Sequence, residues 1–167
     1  MFGIIKVGSM DCHEEEELCE EFGIHGPPKI KIFTENSNDD GQVYNGKHEW
    51  KAISAQAASK MQSFVSVVNA DNYDDFVSRD PSKSKVLIFT ERKTTAPLIK
   101  SLSKTYKDKL NFGEVKKDKE LMEKFKISVF PTLMVLSDPH NYKGEVYDIN
   151  SEMKIDQLKK FLAKYAY

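Results

Sequence analysis

The 167-residue chain balances 25 lysines and arginines against 26 aspartates and glutamates, and 40% of its residues are hydrophobic. This balance leaves no net field that would recruit nucleic acid or an anionic membrane, so we expect neither as a partner. The apolar runs fall short of the roughly 20 residues that a membrane span needs. The hydrophobic fraction is sufficient for the core of one medium domain or two small ones. No signal peptide or retention tetrapeptide indicates a compartment.

Hydrophobic periodicity in the first third of the chain predicts short helices and strands. The predicted helices cover Glu14 to Phe22 and about Glu49 to Met61. The predicted strands cover Ile4 to Val7, Lys29 to Phe33 and Gln42 to Tyr44. We expect Trp50, at the start of the second helix, to anchor that helix to the sheet.

The remainder of the chain predicts the element order βαβαβαββα. Its predicted strands are Phe64 to Asn69, Lys85 to Thr90, Asn111 to Val115, Thr132 to Leu136 and a short one near Glu145 to Tyr147. Its predicted helices are Asn72 to Arg79, Pro97 to Tyr106, Lys119 to Phe125 and about Ile155 to Tyr165. The run from Lys85 to Thr90 is typical of a strand buried inside a partly parallel sheet.

One segment of the chain is repeated. The two copies stay in register at a separation of 103 positions (121 minus 18, for example), as shown by Leu18 and Leu121, Phe22 and Phe125, Ile24 and Ile127, Pro28 and Pro131, and Tyr44 and Tyr147. In each copy the end of an amphipathic helix is followed by a proline that opens an apolar strand. A period of this length corresponds to a whole small domain.

The repeat predicts two α/β modules, one complete and one partial. Residues 64–167 contain every element of the order above, whereas residues 1–62 contain only the later elements. Subtracting 103 from positions 64 to 106 gives positions before Met1, so we expect the missing half to belong to a longer parent chain. A half-module exposes a sheet edge and apolar surface, and we therefore expect self-association through it.

The element order and the strand-opening prolines resemble the thioredoxin fold, a mixed sheet flanked by helices. The segment from Phe22 to Phe33 is similar to the cis-proline segment of catalytic modules in the protein disulfide isomerase family, because Gly26-Pro27-Pro28 precedes an alternating apolar strand. The resemblance implies cis peptide bonds at Pro28 and Pro131. It also implies that Val129 and Phe130 present main-chain groups to an extended peptide, as a strand added to a sheet edge does.

Oxidoreductases of this family act through Cys-x-x-Cys at a helix N-terminus, where the helix dipole stabilises the thiolate. In the complete module the corresponding stretch is Thr90 to Pro97, which contains no cysteine. In the partial module the corresponding stretch would precede Met1. The chain therefore has no expected catalytic residue and should be inactive alone, and its complete module resembles the redox-inactive b-type modules of the family.

Cys12 and Cys19 are the two cysteines of the chain. The stretch from Asp11 to Cys19 resembles the strand-to-helix junction of the family, where some members carry a structural cysteine pair. We prefer a structural disulfide, because the spacing is not Cys-x-x-Cys. A redox-active pair and two buried free thiols remain as alternatives. If the pair is bridged, an oxidising compartment such as the endoplasmic reticulum is indicated.

Other candidate sites carry weaker signals. The run from Glu14 to Glu17 is expected to be a solvated helix start, which the helix dipole favours. The histidines are too dispersed for a metal site, and neither a catalytic triad nor a phosphate-binding glycine loop occurs, so we expect no metal and no cofactor.

The resemblance implies a segment of a protein disulfide isomerase-like protein of the endoplasmic reticulum lumen. The parent would catalyse thiol–disulfide exchange and isomerisation in folding clients, while this segment would bind unfolded or partly folded clients or space the modules. The alternative is a non-enzymatic thioredoxin-like chaperone or adaptor whose missing half also lacks Cys-x-x-Cys. A third hypothesis, a cytosolic thioredoxin-like scaffold, requires Cys12 and Cys19 to be reduced.

Overall fold

The computed structural model describes residues 4–26, 28–34, 40–147 and 153–167. The chain forms two units, Met1–Met61 and Gln62–Tyr167. Within the described ranges, the helices are too short or too polar to cross a membrane.

The first unit contains two helices and a hairpin of two short strands. Its elements are α1 (Glu16–Glu21), β1 (Lys31–Ile32), β2 (Gln42–Val43) and α2 (Trp50–Ser59). The strands are antiparallel, with Lys31 opposite Val43. Lys31 also caps the end of α1, because its Nζ donates to the carbonyl of Phe22 at 2.6 Å. The predicted helices and the two later strands are therefore present, in shorter form.

The first unit buries little apolar surface. Among its described residues, Cys19 is the one hydrophobic side chain that is buried. The strand predicted from Ile4 to Val7 is wrong, because these residues form a turn, a bend and irregular chain. A strand needs a neighbour to receive its hydrogen bonds, and no partner for this segment lies in the described part of the unit. The anchoring role predicted for Trp50 is also wrong, since its side chain is 67% exposed.

The second unit is built on a five-stranded mixed sheet. Its strands are β3 (Val65–Val68), β4 (Ser84–Thr90), β5 (Leu110–Lys116), β6 (Thr132–Asp138) and β7 (Lys143–Val146), in the spatial order β3-β5-β4-β6-β7. The pairs β3–β5 and β4–β5 are parallel, whereas β4–β6 and β6–β7 are antiparallel. Helices α3 (Tyr73–Ser78), α4 (Pro97–Thr105), α5 (Lys119–Lys124) and α6 (Ile155–Ala163) complete the unit, with a 3₁₀ turn at Pro139–Asn141.

Helices cover both faces of this sheet. On one face Val86 and Ile88 of β4 share a core with residues of α4 and α6, including Leu102 and Leu158. On the other face Leu87 and Phe89 share a core with residues of α3 and α5. The central strand is buried on both sides, which explains why its sequence is continuously apolar rather than alternating. The predicted α/β fold is confirmed, and the element ends in this unit lie within two residues of those predicted.

Tyr73 connects α3 to the 3₁₀ turn. Its side chain is 3% exposed, and its hydroxyl donates to the carbonyl of Pro139 at 2.8 Å. The ring packs on Tyr142 and Phe125, with centroids 5.2 and 5.8 Å away. Burial raises the pKa of Tyr73 well above its ordinary value, with smaller contributions from Tyr142 and Asp74. The phenol therefore stays protonated in the folded protein at pH values where an unfolded chain loses that proton.

We expect the stability of the wild-type protein to fall above about pH 10, where unfolded tyrosines ionise. The folded state keeps the Tyr73 proton that the unfolded state loses. The free energy of unfolding therefore falls by up to about 1.4 kcal/mol per pH unit for this phenol. Tyr73→Phe should make this fall less steep, although removing the hydrogen bond lowers stability at neutral pH. Urea unfolding at a series of alkaline pH values measures both slopes, and identical slopes for the two proteins would contradict the expectation.

Candidate functional site

Two loops of the second unit meet at one edge of its sheet. Phe89, near the end of β4, pairs with Thr132, at the start of β6. The loop that follows β4, residues 91–96, therefore lies beside the segment that leads into β6, residues 127–131. On its other side β4 ends beside β5, because Thr90 pairs with Lys116. We call these two loops, together with residues 117–119 after β5, the upper edge.

The segment before β6 has exposed side chains and main-chain groups without hydrogen-bond partners in the described part of the chain. The Phe130–Pro131 peptide bond is cis. Val129 is 44% exposed, Pro131 is exposed, and Phe130 is half-buried against the core on the α3 side. The carbonyl of Val129 accepts the hydroxyl of Thr132 at 2.6 Å. Among the described residues, neither the N–H nor the carbonyl of Phe130 has a hydrogen-bond partner, so this main chain is available to a ligand.

A buried carboxylate holds the loop that follows β4. Glu114 of β5 is 2% exposed and accepts the hydroxyl of Thr95 at 2.7 Å. Lys116 lies 3.1 Å from the same carboxylate oxygen and also donates to the carbonyl of Lys93 at 2.9 Å. None of the residues predicted from the sequence as functional belongs to this group. Its signal was a single acidic residue inside the apolar strand from Phe112 to Val115, where an ionised group must be paired.

Both cysteines of the chain lie in the first unit, where they form a disulfide with Cα atoms 5.7 Å apart. Cys19 lies in α1 and is buried, whereas Cys12 is partly exposed. His13 and His25 line an open depression beside the pair, but the described residues contain no group of three side chains that could hold a metal ion. The cis bond predicted at Pro28 involves Pro27, which lies outside the described residues, so it stays a prediction.

We expect thiol quantification in non-reducing denaturant to find no free thiol in the purified protein. Cys12→Ser is the matched positive control, because it should release one reactive thiol from Cys19. The loss of the cross-link should also lower stability by about 2 to 3 kcal/mol for so short a loop. Two free thiols in the wild-type protein would contradict the structural disulfide.

Comparison with known proteins places the chain in a family. Residues 9–164 match the family described as Thioredoxin-like domain. A Dictyostelium discoideum protein named as a protein disulfide-isomerase is 33% identical over an alignment of 171 residues that covers 98% of this chain and 41% of that protein. Protein disulfide-isomerase of Arthroderma benhamiae is 28% identical over 158 residues, which are 95% of this chain and 29% of the relative. The chain thus spans less than half the length of these relatives.

Solved structures agree on the fold. One crystal form of ERdj5 matches 97% of this chain and 23% of its own chain, with a TM-score of 0.62 and 17% identity. The full-length ERdj5 structure matches with a TM-score of 0.61 over 97% of this chain. The chain belongs to the thioredoxin-like family and, within it, to the protein disulfide isomerase type. The predicted resemblance is therefore confirmed.

Proposed function

We propose that the chain is a segment of a protein disulfide isomerase-like protein and that its second unit binds or positions folding clients. In this proposal residues 64–167 are a complete, redox-inactive b-type module, and residues 1–62 are the C-terminal half of a catalytic-type module. The parent protein catalyses thiol–disulfide exchange in clients, in the lumen of the endoplasmic reticulum. The names of the relatives and the Cys12–Cys19 disulfide support this assignment, since disulfides persist in oxidising compartments.

Burial at matched repeat positions supports the half-module. Leu121 is fully buried, but its counterpart Leu18 is 38% exposed. Leu136 is 8% exposed, whereas its counterpart Phe33 is 49% exposed. In the second unit both leucines belong to a core cluster that also includes residues between positions 68 and 115. The repeat places the counterparts of most of those residues before Met1, so a preceding segment of the parent chain would cover the exposed positions.

The available main chain of Phe130 carries the client-binding proposal. A peptide in extended conformation can exchange hydrogen bonds with this N–H and carbonyl, while the exposed side chain of Val129 offers an apolar contact. This mode of binding uses groups that every peptide possesses. It therefore suits a module that meets many unfolded sequences.

Client binding can be tested with a labelled, unstructured peptide that has an alternating apolar centre and serine flanks. Val129→Ser should weaken its binding about five-fold, because about 1 kcal/mol of apolar contact is lost. Val67→Ser is the matched control, since Val67 is 59% exposed on β3, at the far side of the sheet. Fluorescence anisotropy measures both variants. Equal affinities for the wild type and Val129→Ser would count against the proposed site.

The parent's activity needs a separate test. We expect this chain alone to show no turnover in an insulin-reduction assay, and clear turnover would contradict the redox-inactive assignment. In the parent chain we expect Cys-x-x-Cys after an apolar strand upstream of Met1. A parent without that motif would instead support the non-enzymatic chaperone or adaptor.

Self-association is a further expected property of the half-module. In the second unit β6 lies between β4 and β7, whereas its counterpart β1 is paired only with β2 in the described part of the first unit. The free side of β1 is an edge that can accept another strand. Light scattering should detect dimers of this chain, and a strict monomer at high concentration would rule them out.

A further inference from the structure

We infer that the upper edge selects client segments in which carboxylate side chains flank an apolar centre. This inference rests on the proposed client-binding role and names the class of peptide that the same site prefers. It follows from the charges on the loops beside Phe130, whose main-chain groups have no hydrogen-bond partner among the described residues.

Four exposed cations at the upper edge have no ion-pair partner among the residues that the structure describes. Arg92 and Lys93 lie in the loop after β4, and Lys117 and Lys119 follow β5. All four side chains are exposed. None of them forms an ion pair with a carboxylate in the described part of the chain. Their charges are therefore directed to solvent or to a ligand.

Most acids at the upper edge are already engaged. Glu114 is buried and bound to Thr95 and Lys116. Asp118 accepts the N–H of Leu121 at 2.9 Å and the N–H of Ala70 at 3.0 Å through its two carboxylate oxygens. The exposed acids on the same loops or next to these cations in the chain are Glu91, Asp71 and Glu120. Glu120 already pairs with Lys124 at 2.8 Å, which leaves Glu91 and Asp71 against the four cations. The surface presented to a ligand consequently has an excess of positive charge.

The strand order places these cations beside the apolar contact. The loop after β4 lies between the segment before β6 and the residues after β5, because β4 pairs with both strands. A peptide that binds the main chain of Phe130 and rests an apolar side chain on Val129 therefore has its flanking residues near Arg92 and Lys93. Carboxylates at those flanking positions gain attraction, whereas lysines meet like charge.

The expected preference is modest and depends on salt. Each exposed charge pair contributes little in water, so we expect the acidic-flanked peptide to bind about three- to ten-fold more tightly than its serine-flanked equivalent. Because these charges are exposed, raising the ionic strength toward 1 M should remove most of the difference, since the Debye length falls to about 3 Å.

Three peptides that share one apolar centre and differ only in flanks of glutamate, serine or lysine test the inference by fluorescence anisotropy. The wild-type chain should rank them glutamate, serine, lysine in order of decreasing affinity. The double variant Arg92→Gln, Lys93→Gln should reduce the affinity for the glutamate peptide toward that for the serine peptide. Lys107→Gln, Lys109→Gln is the matched control, because these exposed lysines precede β5 at the opposite edge of the sheet.

The outcomes separate the inference from the proposal on which it rests. Equal binding of all three peptides, or a preference for lysine, overturns the charge selection but leaves client binding intact. If the double variant Arg92→Gln, Lys93→Gln keeps the full preference for the glutamate peptide, or if the control variant loses it, the selection belongs to another surface. Either result overturns the inference. Binding of none of the peptides contradicts the client-binding role itself.

Discussion

Leu121→Ala is expected to lower the free energy of unfolding of the second unit by about 2 to 5 kcal/mol, which is the usual cost of removing a buried leucine. The side chain is fully buried and belongs to the core that includes Phe89 and Phe125. Its loss leaves a cavity between α5 and the sheet. Urea unfolding of the full chain, followed by far-UV circular dichroism, measures the change.

Leu18→Ala is the matched control, because Leu18 occupies the same repeat position and is 38% exposed. In this chain the substitution should cost less than about 1 kcal/mol, as surface changes usually do. In a longer parent chain that contains the preceding half-module, the same substitution should become as costly as Leu121→Ala. Equal small costs in both proteins would contradict the half-module proposal.

Glu114→Ala is expected to destabilise the second unit by about 2 to 4 kcal/mol. Breaking a buried ion pair leaves its partner uncompensated, which usually costs about 3 to 5 kcal/mol. We reduce that figure because the Lys116 side chain is 25% exposed and can regain water. The hydroxyl of Thr95 also loses its acceptor, so the loop after β4 should become more mobile. Hydrogen exchange at residues 91–96 measures that second effect.

The control for Glu114 is an exposed pair in the same unit. Glu120 and Lys124 lie 2.8 Å apart on α5, with side chains 59% and 39% exposed. Glu120→Ala should cost no more than about 0.5 kcal/mol, the typical value of such a helical pair. The double variant Glu114→Leu, Lys116→Met should be less destabilised than Glu114→Ala, because no buried charge remains unpaired. A Glu114→Ala cost no larger than that of Glu120→Ala would show that the carboxylate does not hold the loop.

The sequence predicts the second unit well because its elements pack on one another. The apolar run of β4 indicates burial on both faces, and the amphipathic pattern of α6 indicates the face that Leu158, Phe161 and Leu162 turn to the core. Local pattern and tertiary packing agree there. A fold predicted from periodicity is reliable under that condition.

The first unit departs from its pattern because packing partners are missing from the described chain. Residues 4–7 are apolar enough for a strand, but the described part of the unit offers them no neighbouring strand. Trp50 is a residue type common in cores, but its side chain is exposed. Pattern indicates which residues can be buried, not what covers them. The role of Glu114 was missed for a related reason, since its partner Thr95, on the loop after β4, becomes a neighbour only when β4 and β5 pair.

The carboxylate of Asp118 has a consequence for the entropy of binding. It accepts hydrogen bonds from the N–H of Leu121, at the start of α5, and from the N–H of Ala70, on the loop after β3. Ala70 and Asp118 are 48 residues apart in the sequence. Together with the bonds of Glu114 and Lys116, it fixes three successive loops to one another before any client arrives. A preorganised surface loses little conformational freedom on binding. In the proposed client binding, the ordering cost of an encounter therefore falls on the client chain, and stiffer client segments should bind more tightly than flexible segments of the same composition.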